Sequence, residues 1–356
     1  MRISYLMTAP PPAVPGTDAV IQEAEWLCSR LGGDLTYLFP FSSPHPRFPR
    51  AFYGFHHLGE LRELDRRADL HHVFHAELYP FPVLRFLRKP LVYSVVSGTT
   101  GQEEIPAGRS IRNVARIIVP SNRDLGRLEE HGLSNGEVVR PGVDASRFHY
   151  VPPPAGNDFA ILAGSAPWTR KQFRTKGVDA LLRVAQRTPG LRLVFLWRGL
   201  LREELEKRVR ALGLSDRVEI IDAWVDVDTV LARVHAAIVL ADKPKLVKSF
   251  PNSLMEALAC GRPVLVSDCL AMADYVTEHA CGQVVRGVDD TDLSRKIELL
   301  RKGYDMNQKN ALREGRSDFS RDNRFEVYRK LYESVVTLSR IIGPGAAPHP
   351  PGLRPG

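Results

Sequence analysis

The feature that most constrains this chain is a rhythm that runs twice: short apolar runs alternate with stretches whose apolar residues recur at helical spacing. The first series reads as strands at residues 2–7, 35–39, 72–75, 91–96, 116–119 and 137–139, with a helix over 17–31 and others between several of the strands. The second reads as strands at 158–163, 192–197, 218–221, 236–240, 263–267 and 282–285, with helices such as 178–188 and 203–212. Strands joined through helices run parallel, so each series predicts a doubly wound α/β sheet with helices on both faces. Between the two lies Val151-Pro-Pro-Pro-Ala-Gly, and consecutive prolines can neither continue a helix nor sit in a central strand. The pattern gives a first domain over 1–150, a linker at 151–157 and a second domain over 158–320, so that two Rossmann-type layers would face a cleft. Residues 321–342 read as a long amphipathic closing helix, and the Pro/Gly-rich 343–356 as a disordered tail. At 356 residues the chain is too long for one ordinary core, which agrees with two domains.

Composition narrows the function. The net charge of +8 favours anionic ligands, but Arg is spread through nearly every expected helix and no Lys/Arg block interleaved with aromatics marks a nucleic-acid face. A phosphate-bearing small ligand is therefore favoured over nucleic acid. Cys28, Cys260, Cys269 and Cys281 form no CxxC pair and have no histidine at metal-ligand spacing, which points to reduced, cytosolic thiols. No apolar run is long enough to span a bilayer, and the opening Met1-Arg-Ile-Ser-Tyr-Leu-Met reads as a first buried strand rather than a signal peptide.

The most informative stretch is residues 248–268, which reads loop, helix, tight Gly turn, strand. Pro251 and Asn252 suit a helix start, where unpaired backbone N–H groups and the dipole favour an anion or sugar hydroxyls. Glu256 falls one turn in, inside an otherwise apolar run, and vicinal ribose hydroxyls would be good donors to it. The competing account is a capping box in which Glu256 serves its own helix as the partner of Ser253. A second constellation, residues 164–177, follows an expected strand and carries Arg170, Lys171, Arg174 and Lys176 ahead of a helix. Such a loop would suit a diphosphate, although a run of charges is more often a solvated loop. Asp226-Val-Asp228 forms a DxD pair that could hold a metal on a diphosphate; an Asp N-cap for the helix that follows is the simpler account.

The string Pro251-Asn-Ser-Leu-Met-Glu-Ala-Leu-Ala-Cys-Gly-Arg-Pro-Val resembles the donor-site signature of retaining GT-B glycosyltransferases of family 4, and Arg140-Pro-Gly-Val-Asp-Ala-Ser-Arg-Phe resembles their interdomain segment. Ser121-Asn-Arg-Asp, the Lys176-Gly177 pair and the closing helix fall in the same order as in that family, so the resemblance spans nearly the whole chain. It implies a GT-B fold whose C-terminal helix returns to the first domain, and transfer of a sugar from a nucleoside-diphosphate sugar to an acceptor hydroxyl with retention. No cofactor is implied, and fixed cations would do the work a metal does elsewhere. The resemblance makes Pro251, Asn252, Ser253, Leu254 and Glu256 donor-binding, with Glu256 on the ribose and Lys176 on the diphosphate, assisted by Arg170 or Lys171. His75, at the end of an expected strand, fits the family histidine that reaches the donor sugar better than His71 or His72; a structural histidine is the competing account. Gly16 and Thr17 stand where the family's Gly-rich first loop lines the acceptor side, although the proline content of residues 9–17 departs from the usual double glycine.

One departure bears on the chemistry. The family carries a second Glu eight positions before Glu256, in contact with the transferred sugar, and here that position is Lys248. Lys248 would either meet a phosphate or carboxylate on the sugar, and so join His75 and Lys176 as a catalytic candidate, or stand idle at the surface. The same departure motivates the alternative of a catalytically silent nucleotide-sugar-binding partner protein. An epimerase or a phosphorylase is weaker still, because the carboxylate set of the one and the extra chain of the other are not found. The acceptor itself is not written in the sequence. Residues 47–67 mix five arginines with Phe48, Phe52, Tyr53, Phe55 and Leu58; they read either as a solvated helix over the core or as a face resting on an anionic membrane, which would make the protein peripheral at the inner face.

Overall fold

The computed structural model describes residues 1–11, 19–41, 48–106, 108, 111, 113–197 and 200–342. The chain divides into two compact units: unit 1 comprises Met1–Arg140 and Arg324–Gly356, and unit 2 comprises Pro141–Asn323. Residues 151–157 lie within unit 2 and form neither helix nor strand.

Unit 1 holds a six-stranded sheet of β1 (Ile3–Met7), β2 (Asp34–Tyr37), β3 (Leu70–His75), β4 (Leu91–Val95), β5 (Arg116–Val119) and β6 (Gly136–Val138). The strands lie in the order β2-β1-β3-β4-β5-β6, and every pair is parallel. Because side chains alternate along a strand, each strand feeds two cores. Leu6, Val73, Tyr93 and Ile117 pack on one face, and Ile3, Tyr5, Phe74 and Ile118 on the other. This two-sided burial is why the strands read as unbroken apolar runs.

Unit 2 repeats the plan with β7 (Phe159–Ala163), β8 (Leu191–Leu196), β9 (Val218–Ile221), β10 (Ala236–Val239), β11 (Val264–Ser267) and β12 (Gly282–Val285), in the order β12-β11-β10-β7-β8-β9, again all parallel. All twelve expected strands are present, with ends shifted by two residues at most. In each sheet the direction of winding reverses once, at β1/β3 in unit 1 and at β7/β10 in unit 2. The carboxyl ends of strands at such a reversal leave a crevice that helices do not fill, where open α/β sheets bind ligands.

The closing helix, Arg321–Ile342, begins in unit 2 and continues in unit 1. Tyr328, Leu331, Tyr332 and Val335 form its buried stripe, at the spacing of one helix face, and join the core beside β1 and β3. The dock is also polar: Tyr328 donates to the Glu23 carboxylate at 3.0 Å, and the Tyr332 hydroxyl lies 2.7 Å from His72 Nδ1. Among the described residues no helix is long and apolar enough to cross a membrane.

Candidate functional site

In unit 2 the chain leaves β7 through Gly164 and Ser165 at the winding reversal. A Cβ on Gly164 would lie 2.8 Å from Ser253 Oγ and 3.1 Å from its Cβ, so only a glycine lets this loop seat against the start of the helix Asn252–Ala259. Ser165 follows with φ of 66°, a left-handed conformation uncommon for a residue with a side chain. Its hydroxyl accepts a hydrogen bond from Lys176 Nζ at 3.0 Å, and the same ammonium reaches the Ala166 carbonyl at 3.3 Å. Burial lowers the Lys176 pKa from the ordinary lysine value, so a nearby anion would favour its charged form. A pocket opens there above β7, β8 and β10, lined by Gly164, Ser165, Lys176, Gly177 and Trp197 among others. Gly177 has φ of 69°, and a Cβ there would lie 2.6 Å from Leu240, so this turn also excludes a side chain.

The four cations of the loop separate. Arg170, Lys171 and Arg174 lie on a short helix, Arg170–Thr175, and are exposed; Lys176 ends it and lines the pocket. Arg170 leans toward Glu204 at 3.8 Å with most of its side chain in solvent. Lys171 makes no hydrogen bond or ion pair with a described residue.

The helix Asn252–Ala259 is capped by Pro251, whose ring supplies the extended φ of −66° but no side-chain cap. Ser253 thus sits inside the helix rather than at its N-cap, and the capping-box account of Glu256 is not the arrangement formed. Glu256 is half-buried, and Leu254 is wholly buried against the core of unit 2. Arg262, in the same sequence signature, is structural: fully buried, it donates to the Leu231 and Ala232 carbonyls at 2.9 and 3.3 Å and so closes the end of the helix Val227–Leu231. At the other end of that helix Asp226 is the N-cap, accepting from the Asp228 N–H at 3.2 Å, while Asp228 accepts from the His149 backbone at 2.9 Å. Asp226 thus serves its own helix and Asp228 is engaged by His149, whose Nδ1 lies 3.0 Å from its carboxylate. Lys248 is half-exposed, with no hydrogen bond or ion pair to a described residue.

In unit 1, His75 ends β3 at the other winding reversal. Its Nδ1 lies 2.6 Å from Thr8 Oγ1, just past β1, and Phe81 packs edge-on at 5.0 Å. Nε2 is buried and has no hydrogen-bond partner among the described residues. Burial, and then the positive charge of Arg50, push the imidazole pKa down to about 3, so the ring is neutral. His71 and His72 are engaged elsewhere: His71 Nε2 with Asp65 at 3.0 Å, and His72 between Tyr332 and Ser94. Gly16 and Thr17 lie outside the described residues. Sequence reasoning does not single out Thr8, Ser165 or Trp197; a polar residue one or two steps past a central strand is the signal the first two offer.

His279, Glu314 and Asp318 offer three ligand atoms within 4.8 Å of one another, but Arg313 already binds Glu314 at 2.6 Å and Tyr275 donates to Asp318 at 3.2 Å.

Residues 170–315 match the family model described as glycosyl transferases group 1. The D-inositol 3-phosphate glycosyltransferase of Nocardiopsis dassonvillei is 28% identical over 215 residues, covering 53% of this chain and 48% of that protein. The chain spans about half the length of the inositol-phosphate glycosyltransferases it matches. Among solved structures, sucrose-phosphate synthase from Thermosynechococcus elongatus is similar with a TM-score of 0.75 at 15% identity, covering 95% of this chain and 100% of that one. Anabaena HepE in complex with UDP gives a TM-score of 0.70 at 13% identity, covering 94% and 100%. At that identity the likeness is one of fold: two Rossmann-like units of the GT-B architecture, with the C-terminal helix returned to the first.

Proposed function

We propose that this chain, related through residues 170–315 to the glycosyl transferases of group 1, transfers a sugar from a nucleoside-diphosphate sugar to an acceptor hydroxyl with retention of anomeric configuration. The observation that carries the reading is the junction at the β7/β10 reversal, where Lys176, the strained Ser165 turn and the start of the helix Asn252–Ala259 meet through Gly164. A desolvated ammonium and the free N–H groups of a helix start, brought to one crevice, are what a diphosphate requires. In transfer, the bond from the anomeric carbon to the diphosphate oxygen breaks as the acceptor oxygen bonds to that carbon and gives its proton to the departing diphosphate; the charge that grows on the leaving oxygen is neutralised by Lys176. One such placed donor is worth roughly 3 kcal/mol in the transition state. Glu256, one turn along the helix, is assigned to the ribose hydroxyls, and Arg170 or Lys171 would swing inward as the second cation. In unit 1, His75 offers Nε2 as a neutral acceptor for a hydroxyl. Gly16 and Thr17 remain the acceptor-side candidates. A cytoplasmic location belongs to the same proposal, supported by four free thiols.

Lys248 supports a second reading, a nucleotide-sugar-binding protein without transferase activity, because the family carboxylate is replaced by an ammonium that has no partner among the described residues. Donor hydrolysis or transfer separates the two. The donor site itself is tested by thermal unfolding with a panel of nucleoside diphosphates and nucleotide sugars. A matching base at a hundredfold excess over its Kd stabilises by about 2.7 kcal/mol, and both Glu256→Ala and Lys176→Ala abolish the shift. A panel in which no nucleotide moves the transition would leave the fold without a donor site.

A further inference from the structure

Two Phe-Pro steps in unit 1 build one surface. Phe48-Pro49 and Phe81-Pro82 each open a 3-10 turn, Arg50–Phe52 and Pro82–Phe86, and the two turns pack against each other. Proline suits a turn start because its φ is fixed and it has no N–H to satisfy. Each turn carries an arginine and a phenylalanine, Arg50 with Phe52 and Arg85 with Phe86, but Arg50 is already paired with Glu77 at 2.7 Å, so the unpaired cations lie on the second turn and just past it. Phe52 is 56% exposed, Phe86 48% and neighbouring Phe41 38%, and these rings touch other rings: Phe41 to Phe48 at 5.2 Å, Phe48 to Phe52 at 6.4 Å, and Phe86 to Phe55 at 6.1 Å. A cluster of exposed phenyl rings is costly in water unless something covers it.

We propose that this face docks on an anionic lipid bilayer. Charge complementarity selects that occupant. Arg85 precedes the exposed Phe86 ring of the second turn, Arg88 and Lys89 follow it, and none of the three makes an ion pair with a described residue, so the apolar patch is flanked by cations that lack their own counter-charge. Phenylalanine beside unpaired arginine is the chemistry of an interfacial segment, with rings entering the acyl boundary and cations at the head groups. The neighbouring helix Leu58–Arg67 does not take part: it buries Leu61 and Asp65 over the core and pairs Arg66 and Arg67 with Glu63. The docking face is continuous with His75 through a chain of ring contacts, Phe48 stacked on Tyr53 at 6.0 Å, Tyr53 stacked on Phe81 at 5.7 Å and Phe81 edge-on to His75 at 5.0 Å. On the function proposed above, docking would bring the His75 face to a lipid-borne acceptor; the docking itself does not depend on that function.

The test is co-sedimentation of the full chain with phosphatidylcholine vesicles, with and without phosphatidylglycerol, at low and high salt. The chain pellets with anionic vesicles and releases in salt. Phe52→Ser with Phe86→Ser weakens partition about tenfold, and Arg85→Gln about fivefold, while the exposed positions leave the thermal midpoint and the nucleotide shift in place. Equal pelleting with neutral and anionic vesicles, or variants that partition like the wild type, would overturn the proposal. So would loss of a concentration-dependent dimer in the Phe variants without vesicle binding, which would assign the face to a second copy of the chain. Failure of the nucleotide shift with vesicle binding intact would remove only the link to an acceptor.

Discussion

Thr8 Oγ1 donates to the Phe74 carbonyl at 2.8 Å and stands 2.6 Å from His75 Nδ1, so the hydroxyl has spent its one proton and must accept from the imidazole. His75 therefore holds its proton on Nδ1 and leaves a buried, unprotonated Nε2 with no hydrogen-bond partner among the described residues. The opposite tautomer would bury an unpaired N–H, which costs about 1–3 kcal/mol. Thr8 thus fixes which ring nitrogen is left unprotonated.

Thr8→Val, which keeps the shape and removes the acceptor, is expected to lower turnover about tenfold while the nucleotide-induced thermal shift stays unchanged. His75→Ala is expected to lower it further with the same shift. A Thr8→Val enzyme with wild-type turnover would show that the tautomer does not matter to the reaction.

Lys176 predicts a pH dependence. Burial lowers its pKa, so the free site loses its charge at a lower pH than an ordinary lysine would, and a diphosphate bound as proposed would hold the proton on. Nucleotide affinity is then expected to fall as pH rises through that lowered pKa. In Lys176→Arg the cation cannot be deprotonated, so affinity is weaker at neutral pH because the fork does not fit the Ser165 turn, yet flat toward alkaline pH. Titration calorimetry of both proteins across the alkaline range decides it, and parallel profiles would remove Lys176 from the phosphate.

Gly164 and Ser253 make a reciprocal prediction. Gly164→Ala places a methyl 2.8 Å from Ser253 Oγ, and overpacking of this kind costs about 1–3 kcal/mol. Ser253→Gly removes the obstructing atoms, so the double variant is expected to recover most of the stability lost by Gly164→Ala. Urea unfolding of the two single variants and the double one measures the coupling, and strictly additive losses would mean that the loop and helix start do not meet.

The strands were legible because a parallel sheet buried on both faces needs unbroken apolar runs, such as Ile3–Met7 and Phe159–Ala163, and these show in any single sequence. The sites were legible only as lists of residue types. Arg170, Lys171, Arg174 and Lys176 look alike along the chain; only the helix Arg170–Thr175 turns three outward and leaves Lys176 at the pocket. Whether Ser253 or Pro251 caps the next helix depends on where the chain enters it, which spacing does not encode. Thr8 and His75 are 67 residues apart and meet only because β1 and β3 are adjacent in the sheet, although β2 lies between them in sequence.

The dock of the closing helix carries the last prediction. His72 is wholly buried, with Nδ1 2.7 Å from the Tyr332 hydroxyl and Nε2 2.7 Å from Ser94 Oγ, and burial pushes its pKa down to about 3. In the unfolded chain the same ring titrates near 6.5, so between roughly pH 6.5 and pH 3 the unfolded state binds a proton that the folded state refuses. Stability from this group is present above that window and is lost as pH falls through it, by at most about 1.4 kcal/mol per unit. Urea unfolding at pH 7.5 and pH 5 is expected to show a shallower acid loss in His72→Gln than in the wild type. Tyr332→Phe instead leaves a buried ring nitrogen unpaired, costs about 1–3 kcal/mol at neutral pH, and keeps the acid slope, because the histidine remains. Equal slopes for wild type and His72→Gln would mean that His72 is protonated in the folded protein and that its two hydrogen bonds hold a charge.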